Sequence, residues 1–339
     1  MRIHVGTFVI CVLCLLLFNA LALNLLSPGS YDCTTQCSDT QNQLKESINR
    51  LKQEILTLKQ KCSTNESTSS LHDSHSPSLV PHIPVIHMIT PTYSCWTQKA
   101  DLTRLSQTLM HIKNLHWIVV EDSDNKTGLV ARFLKKCNLK YTHLNVRTKK
   151  ELQRNSKEPV WRKSRGVEQR NLGLNWLRRN HMTMPGKGKG DVVYFGDDDN
   201  TYDIELFDEI RATRKLSVWP VGICGGLRWE GPVCDDKGTV VDWHRSWAKL
   251  RPFPIDFAGF AIKLDVVLQF STAEINPDSR IGWLESDFLS QMVQPSDAEG
   301  RASNCKKVLV WHTRTEKPKT KDEERLIAQG QPSDPLIET

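Results

Sequence analysis

Three consecutive carboxylates, Asp197, Asp198 and Asp199, follow an apolar run and a glycine in the string VVYFGDDDNTY. Like charges this close repel one another, so the cluster is costly unless a cation neutralises it, and hard oxygen ligands select Mg or Mn. A metal held by one or two carboxylates and by diphosphate oxygens acts as a Lewis acid on a departing nucleotide diphosphate. A solvated acidic turn is the plainer account, but the apolar strand before the acids aims them at a sheet edge, where α/β proteins bind ligands. Farther along, WLESDFLSQMV sets Leu284, Phe288, Leu289, Met292 and Val293 on one helical face, with Glu285 in the first turn beside that stripe. Burial there raises a carboxyl pKa toward neutrality, which suits a general base on a sugar hydroxyl; helix capping by Glu285 or Asp287 is the competing role. The string VLVWHTRTEKP delivers His312 and Arg314 past another apolar run, where a phosphate or carboxylate is gripped. Arg165 and Arg170 are expected to offer the same grip from a helix.

Positioning these groups requires a sheet whose strands end in polar loops. IPVIHMITPTY predicts a short strand broken by Pro91, and HWIVVEDSD a second that ends in acids. A helical pattern from Asp101 to Ile112 separates them, and another, GVEQRNLGLNWLRR, precedes the strand DVVYFG. Strands alternating with helices predict an α/β fold with a mostly parallel sheet. From Val221 onward GICGGLRW, TVVDWH and DFAGFAIKL point to a second, mixed half that completes the site, and no internal repeat is evident.

Val5 to Leu26 carries no Asp, Glu, Lys or Arg and is long enough to cross a bilayer as one helix. Arg2 precedes it and Asp32 follows, so residues 1–4 are expected as a cytosolic tail and 5–26 as a signal-anchor of type II topology. Cleavage after the small residues Ala20 and Ala22 is the alternative. Residues 27–82 are polar and Ser-rich, as in a stem, except that Leu44, Ile48, Leu51, Ile55, Leu58 and Cys62 repeat at alternating steps of four and three. That spacing predicts a short coiled coil and hence a parallel dimer, with a frayed amphipathic helix as the alternative and Cys33, Cys37 or Cys62 able to staple two chains.

The formal charge of +6 is spread over small clusters rather than one basic run, which argues against nucleic acid and suits a small anionic ligand. Ten cysteines fit a disulfide-permissive lumen; Cys224 and Cys234 are close enough to bracket a hairpin, and buried free thiols are equally compatible. Asn65 and Asn125 head glycosylation sequons.

TPTY, RGVEQRN, FGDDDNTYDIELFDE, GGLRWEGPV, RPFPIDFAGFAI, ESDFL and NCKKVLVWHTRTEKPK occur in this order. Together they make the chain resemble the β-1,3-glucuronyltransferases of glycosyltransferase family 43 from about Pro84 to Thr339. The ending GQPSDPLIET looks most like the branch that adds glucuronate to Gal-Gal-Xyl of the proteoglycan linkage region. The resemblance implies a GT-A type nucleotide-sugar-binding sheet with a mixed acceptor-binding half, within a catalytic domain at 83–339. The donor half would span about 83–200 and the acceptor half about 201–339.

Carried onto matching positions, the resemblance implies Tyr93 and Asp122 at the uracil, Arg165 and Arg170 around the nucleotide and uronic acid, and Asp197 and Asp198 at the ribose and donor sugar. It implies Asp199 as the direct Mn2+ ligand, His312 at the diphosphate and glucuronate, and Glu285 as base. Glu230, Arg251 and Asp256 fall on the acceptor side, with Trp247 as a galactose platform; Arg280 matches the family's basic residue before the catalytic Glu only with a one-residue shift. The implied reaction is a single inverting displacement on UDP-glucuronate by a galactose 3-hydroxyl, in a Golgi membrane homodimer. Transfer to N-acetyllactosamine glycans, a UDP-galactose-type transferase of the same fold, and a lumenal glycan-binding scaffold are the competing functions.

Overall fold

The structure, a computed structural model, describes residues 83–153, 163–181, 190–334 and 337–339, with Glu158 and seven positions between 45 and 57. Contacts divide the chain into two units, 1–78 and 79–339. In the first, Lys45, Glu46, Asn49, Arg50, Lys52, Gln53 and Thr57 are helical and exposed, and the Thr57 hydroxyl donates to the Gln53 carbonyl at 3.0 Å. The heptad seam, the apolar span 5–26 and Asn65 lie outside the described residues. No described helix is long and apolar enough to cross a membrane.

The second unit opens with β1 (Ile86–Tyr93), α1 (Gln98–Leu109), β2 (Leu115–Asp122), α2 (Gly128–Lys136), β3 (Tyr141–Asn145), α3 (Val167–Asn180) and β4 (Val192–Phe195). It continues through β5 (Thr201–Tyr202), α4 (Leu206–Arg211), β6 (Leu216–Val218), β7 (Val221–Gly222), β8 (Trp229–Cys234) and β9 (Val240–His244). Last come β10 (Phe260–Lys263), α5 (Leu264–Gln269), α6 (Leu284–Ser290), β11 (Ala298–Gly300), β12 (Val310–Trp311) and α7 (Lys321–Ala328).

A seven-stranded sheet runs in the order β11-β6-β10-β4-β1-β2-β3, and a five-stranded sheet in the order β5-β12-β7-β8-β9. β1 to β4 are mutually parallel where they pair, and β10 is antiparallel to both its neighbours. The result is a mixed α/β protein with a parallel-rich sheet. Strand order reverses at β1, which lies between β2 and β4, and such a reversal opens a crevice at the strands' carboxyl ends.

Pro91 does not break the first strand: β1 continues to Tyr93, with Pro91 opposite Val120 of β2. Pairing with β4 stops at Ile89, so beyond that residue one side of β1 needs no backbone donor and proline costs nothing there. Side chains alternate across the sheet as a period of two requires. Met88, Trp117 and Tyr194 pack on one face with Leu102 and Leu105 of α1 and Leu134 of α2. Ile89, Ile118 and Phe195 pack on the other with Leu174 and Leu177 of α3.

α3 approaches the sheet closely at Gly173, where a Cβ would lie 2.7 Å from Ile89 Cγ2. Ile89 is fully buried and stiff at its branched carbon, so Gly173→Ala overpacks the interface by more than the roughly 1 kcal/mol alanine gains in a helix. Thermal melts of that variant are expected to show a net loss of about 1–2 kcal/mol.

Between β11 and β12, Ala302, Ser303, Asn304 and Cys305 form a left-handed turn with φ of 55°, 56°, 54° and 63°. A Cys234–Cys305 disulfide ties this turn to the end of β8. Cys224 and Cys137 are buried free thiols, so the hairpin cysteines are not bonded to each other.

Candidate active site

The carboxyl ends of β1, β2 and β4 open on one cleft of about 430 Å³. Tyr93 and Asp122 are register partners at its rim, and the acid triplet enters from β4. Gly196 makes that exit possible: its N–H donates to the Ile89 carbonyl at 3.1 Å, and a Cβ there would lie 2.0 Å from Met88 Cε.

The three acids are held differently. Arg170 pairs with the Asp197 carboxylate, and the Tyr202 hydroxyl donates to the Asp197 carbonyl at 2.7 Å. The Thr92 hydroxyl donates to Asp198 Oδ2 at 2.7 Å and accepts from Gln98 Nε2 at 3.2 Å. The Thr313 hydroxyl fixes the Asp199 carbonyl at 2.7 Å, whereas the Asp199 carboxylate has no hydrogen bond or ion pair among the described residues. Burial, with the charges of Asp199 and Asp197, pushes Asp198 up to about 7. Burial likewise raises Asp199, helped by Asp197 and Asp101 and opposed by His312 and Arg165. Two carboxyls destabilised as anions beside a paired third make a site that a divalent cation fits. Among the described residues no three His, Cys, Asp or Glu side chains converge on one point, so the protein offers its carboxylates singly and ligand oxygens must complete any coordination.

Arg165 is not on a helix. α3 begins at Val167 after Gly166, whose φ of +73° turns the chain, and the Arg165 carbonyl accepts from Arg170 at 2.9 Å while its exposed side chain lines the cleft. Arg170 is helix-borne, buried, and stacked 4.7 Å from the Phe257 ring centroid. At the far end of the cleft Asp122 accepts from the Thr148 N–H at 2.8 Å and the Thr148 hydroxyl at 2.7 Å, and Gln169 Nε2 donates to that hydroxyl at 3.2 Å. Tyr93 is half-exposed, and partial burial raises its phenol pKa. Asn125 is exposed in the loop after β2.

A second depression of about 640 Å³ is lined by Ile223–Gly226, Asp256, His312, Thr313 and Arg314. The His312 backbone N–H donates to the Gly222 carbonyl at 2.8 Å, which fixes the main chain at the end of β12. His312 Nδ1 lies 3.3 Å from Asp256 Oδ2, an ion contact rather than a well-aligned hydrogen bond. The Asp256 carboxylate raises the His312 pKa against the effect of burial. Burial pushes Asp256 up in turn, but His312, the Ala258 N–H and Arg170 outweigh it and hold Asp256 below its ordinary value.

Glu285 stands half-buried in the first turn of α6, whose N-cap residue Trp283 makes no side-chain cap, and the Glu285 carboxyl accepts from its own backbone N–H. Burial and the Asp256 charge push Glu285 up to about 8, against the pull of Arg170 and Arg251. Met292 and Val293 are buried as the apolar stripe requires, although the helix ends before them at Ser290. Arg251 donates to Glu230 Oε1 at 2.6 Å, with each side chain 5% exposed, and to the Gly282 carbonyl at 3.0 Å. It also stacks 5.0 Å from the Trp247 centroid, leaving that ring half-exposed against Gly282. Arg280 is exposed, rests 5.5 Å from the Trp283 centroid and lines neither depression. Removing one member of the buried pair strands the other charge, so Arg251→Met is expected to cost about 3–5 kcal/mol in denaturant unfolding.

Sequence reasoning passed over Thr92, Thr148, Gln169, Tyr202 and Thr313. Thr92 and Thr313 stand inside strings that were singled out, so their adjacency to the acids could have flagged them. Thr148 meets Asp122, and Gln169 meets Thr148, only through the fold.

Residues 105–316 match the model of glycosyltransferase family 43. Galactosylgalactosylxylosylprotein 3-beta-glucuronosyltransferase 3 of Mus musculus is 52% identical over 262 residues, covering 76% of this chain and 78% of that one. The Homo sapiens protein of the same name is 51% identical over 262 residues with the same coverage. Galactosylgalactosylxylosylprotein 3-beta-glucuronosyltransferase 1 of Rattus norvegicus is 50% identical over 242 residues, 70% of each chain. The family match at 105–316 holds the acid triplet, Glu285 and His312, about half of the residues aligned with these relatives are identical, and the chain belongs to glycosyltransferase family 43.

Proposed function

We propose that this protein transfers glucuronate from UDP-α-glucuronate to the 3-hydroxyl of a terminal galactose, on Gal-Gal-Xyl of proteoglycan core proteins. One observation carries the reading beyond family membership: the Arg170 guanidinium pairs with Asp197 and also acts on the Glu285 carboxyl. The donor-side acids and a carboxyl poised near neutrality therefore share one site, as a one-step displacement needs.

In this reading the sheet is of GT-A type, and Tyr93 and Asp122 hold the uracil, with Asp122 aligned by Thr148. Asp197 and Asp198 orient the ribose and donor sugar. Arg165 and Arg170 offset the charge of the diphosphate and uronate. Asp256 favours the protonated form of His312, and the imidazolium donates to the diphosphate or the glucuronate carboxylate. Mn2+ bound at Asp199 would supply Lewis-acid charge to the departing UDP. Trp247 offers its ring to a galactose, braced by Arg251 and Glu230, with Asp256 on the same side. Glu285 takes the proton from the 3-hydroxyl, the oxygen attacks C1, and UDP leaves from the opposite face, which inverts α to β.

The apolar segment 5–26 and the seam at 44–62 fit a type II Golgi membrane homodimer with its catalytic domain in the lumen. A panel of UDP-glucuronate and UDP-galactose against Gal-Gal-Xyl and N-acetyllactosamine, with and without Mn2+, tests donor, acceptor and metal together. Turnover is expected with UDP-glucuronate and Gal-Gal-Xyl in Mn2+; turnover with UDP-galactose alone would overturn the donor assignment.

A further inference from the structure

Ile223 has a φ of +56°, in the left-handed region that side chains branched at Cβ strongly resist. Among the described residues, the other non-glycine positions with such a φ are Asn, Ala, Ser and Cys. The constraint comes from both sides. Gly222 is fixed by β12, where its carbonyl accepts the His312 N–H at 2.8 Å, and the Ile223 N–H donates to the Arg228 carbonyl at 2.8 Å to close the β7–β8 loop. The reversal at 223 sends Cys224 into the core, 7% exposed, and turns Ile223 outward, 60% exposed. A glycine would make the same turn without strain and without exposing an apolar side chain.

Core packing does not account for the isoleucine, because most of its surface faces solvent. What it faces is the depression lined by His312 and Asp256, and the Asp256 charge helps burial to raise the Glu285 carboxyl. Strained backbone held by surrounding structure is a mark of ligand-facing positions. A wall with a charged floor and one aliphatic side chain suits a hexopyranose, whose hydroxyl edges are polar and whose C–H face is apolar. A phosphate gains nothing from an exposed aliphatic group, whereas the glucuronate ring has the same C–H face and is told apart from an acceptor hexose by the donor KM.

We propose that Ile223 is an acceptor-specificity residue, held in a left-handed turn so that its side chain packs on the C–H face of an acceptor hexose. This rests on the galactosyl acceptor proposed above.

The test compares the unsubstituted protein with Ile223→Gly and Ile223→Asn, both of which tolerate the turn. A β-1,3-linked digalactoside is titrated calorimetrically in the presence of UDP and Mn2+, alongside transfer kinetics and thermal melts. Both variants are expected to keep or raise Tm, to weaken digalactoside binding about tenfold, and to leave the UDP-glucuronate KM and the kcat nearly unchanged. Equal digalactoside affinity in all three proteins, or a loss confined to the donor KM, would overturn the assignment. Absence of transfer from UDP-glucuronate by the unsubstituted protein would instead overturn the donor reading, and the calorimetric ratio would still decide the role of Ile223.

Discussion

Glu285→Gln lowers kcat for glucuronate transfer by about 10²–10⁴-fold, the range that a positioned general base contributes, and leaves UDP affinity nearly unchanged. The amide keeps the size of the carboxyl and its place on α6 but cannot accept the hydroxyl proton. The residues assigned to the uracil and ribose line the first cleft and are not on α6, so a calorimetric UDP titration separates loss of the base from loss of the fold. Full activity in the variant would remove Glu285 from the mechanism.

The same substitution has a second signature in stability. The folded-state pKa of Glu285 is raised from its ordinary 4.5 to about 8, so between those values the folded protein holds a proton that the unfolded chain has released. Stability from this group is therefore complete below pH 4.5 and declines as pH rises toward 8. Gln carries no such charge. The variant is expected to be more stable than the parent above pH 8 by about 1–2 kcal/mol, the usual exchange between activity and stability at a catalytic group. In the parent, log kcat/KM climbs with pH and flattens near 8, because only the ionised carboxyl accepts the proton.

Strands β1, β2 and β4 were legible in the sequence because each announces itself twice, by an apolar run and by the polar group that ends it, whereas β3 carries no apolar run and was missed. VVYFG leading into three acids is such a signal, and the sheet register then places Asp122 beside Tyr93 without further information. Pro91 misled because proline's missing N–H matters only where a neighbouring strand needs it, and β4 ends too early to need it. Arg165 misled because the helical pattern does not reveal that Gly166 takes a φ of +73°. On the acceptor side, strands of two residues, such as β7 and β12, are too short for periodicity to register. Nothing local marks the four-residue left-handed turn or the partner of Cys234 seventy-one residues away. Glu285 was found because its helix carries an apolar stripe, but its elevated pKa depends on burial by the fold and on Asp256, which comes from a separate loop.

Asp199→Asn uncouples metal from nucleotide. In the parent, Mn2+ is expected to tighten UDP binding and UDP to tighten Mn2+ binding by the same factor, as two ligands sharing one site must. Asp199 is the member of the triplet whose carboxylate is unengaged: Asp197 is committed to Arg170 and Asp198 to Thr92. Its pKa is raised, and because only the ionised carboxyl ligates, metal affinity climbs with pH. The amide removes the charge while the Thr313 hydrogen bond to the residue 199 carbonyl stays intact, so the loop keeps its course. UDP titrations with and without Mn2+ should then give nearly equal affinities. Loss of Lewis-acid stabilisation of the leaving group, worth several kcal/mol, should lower kcat/KM by about 10³-fold. Asp197→Asn is the contrasting variant. It frees Arg170 and so disturbs both clefts, weakening UDP binding whether or not Mn2+ is present. An Asp199→Asn protein that retained the Mn2+ enhancement of UDP binding would move the metal to another member of the triplet, with Asp198 the candidate left.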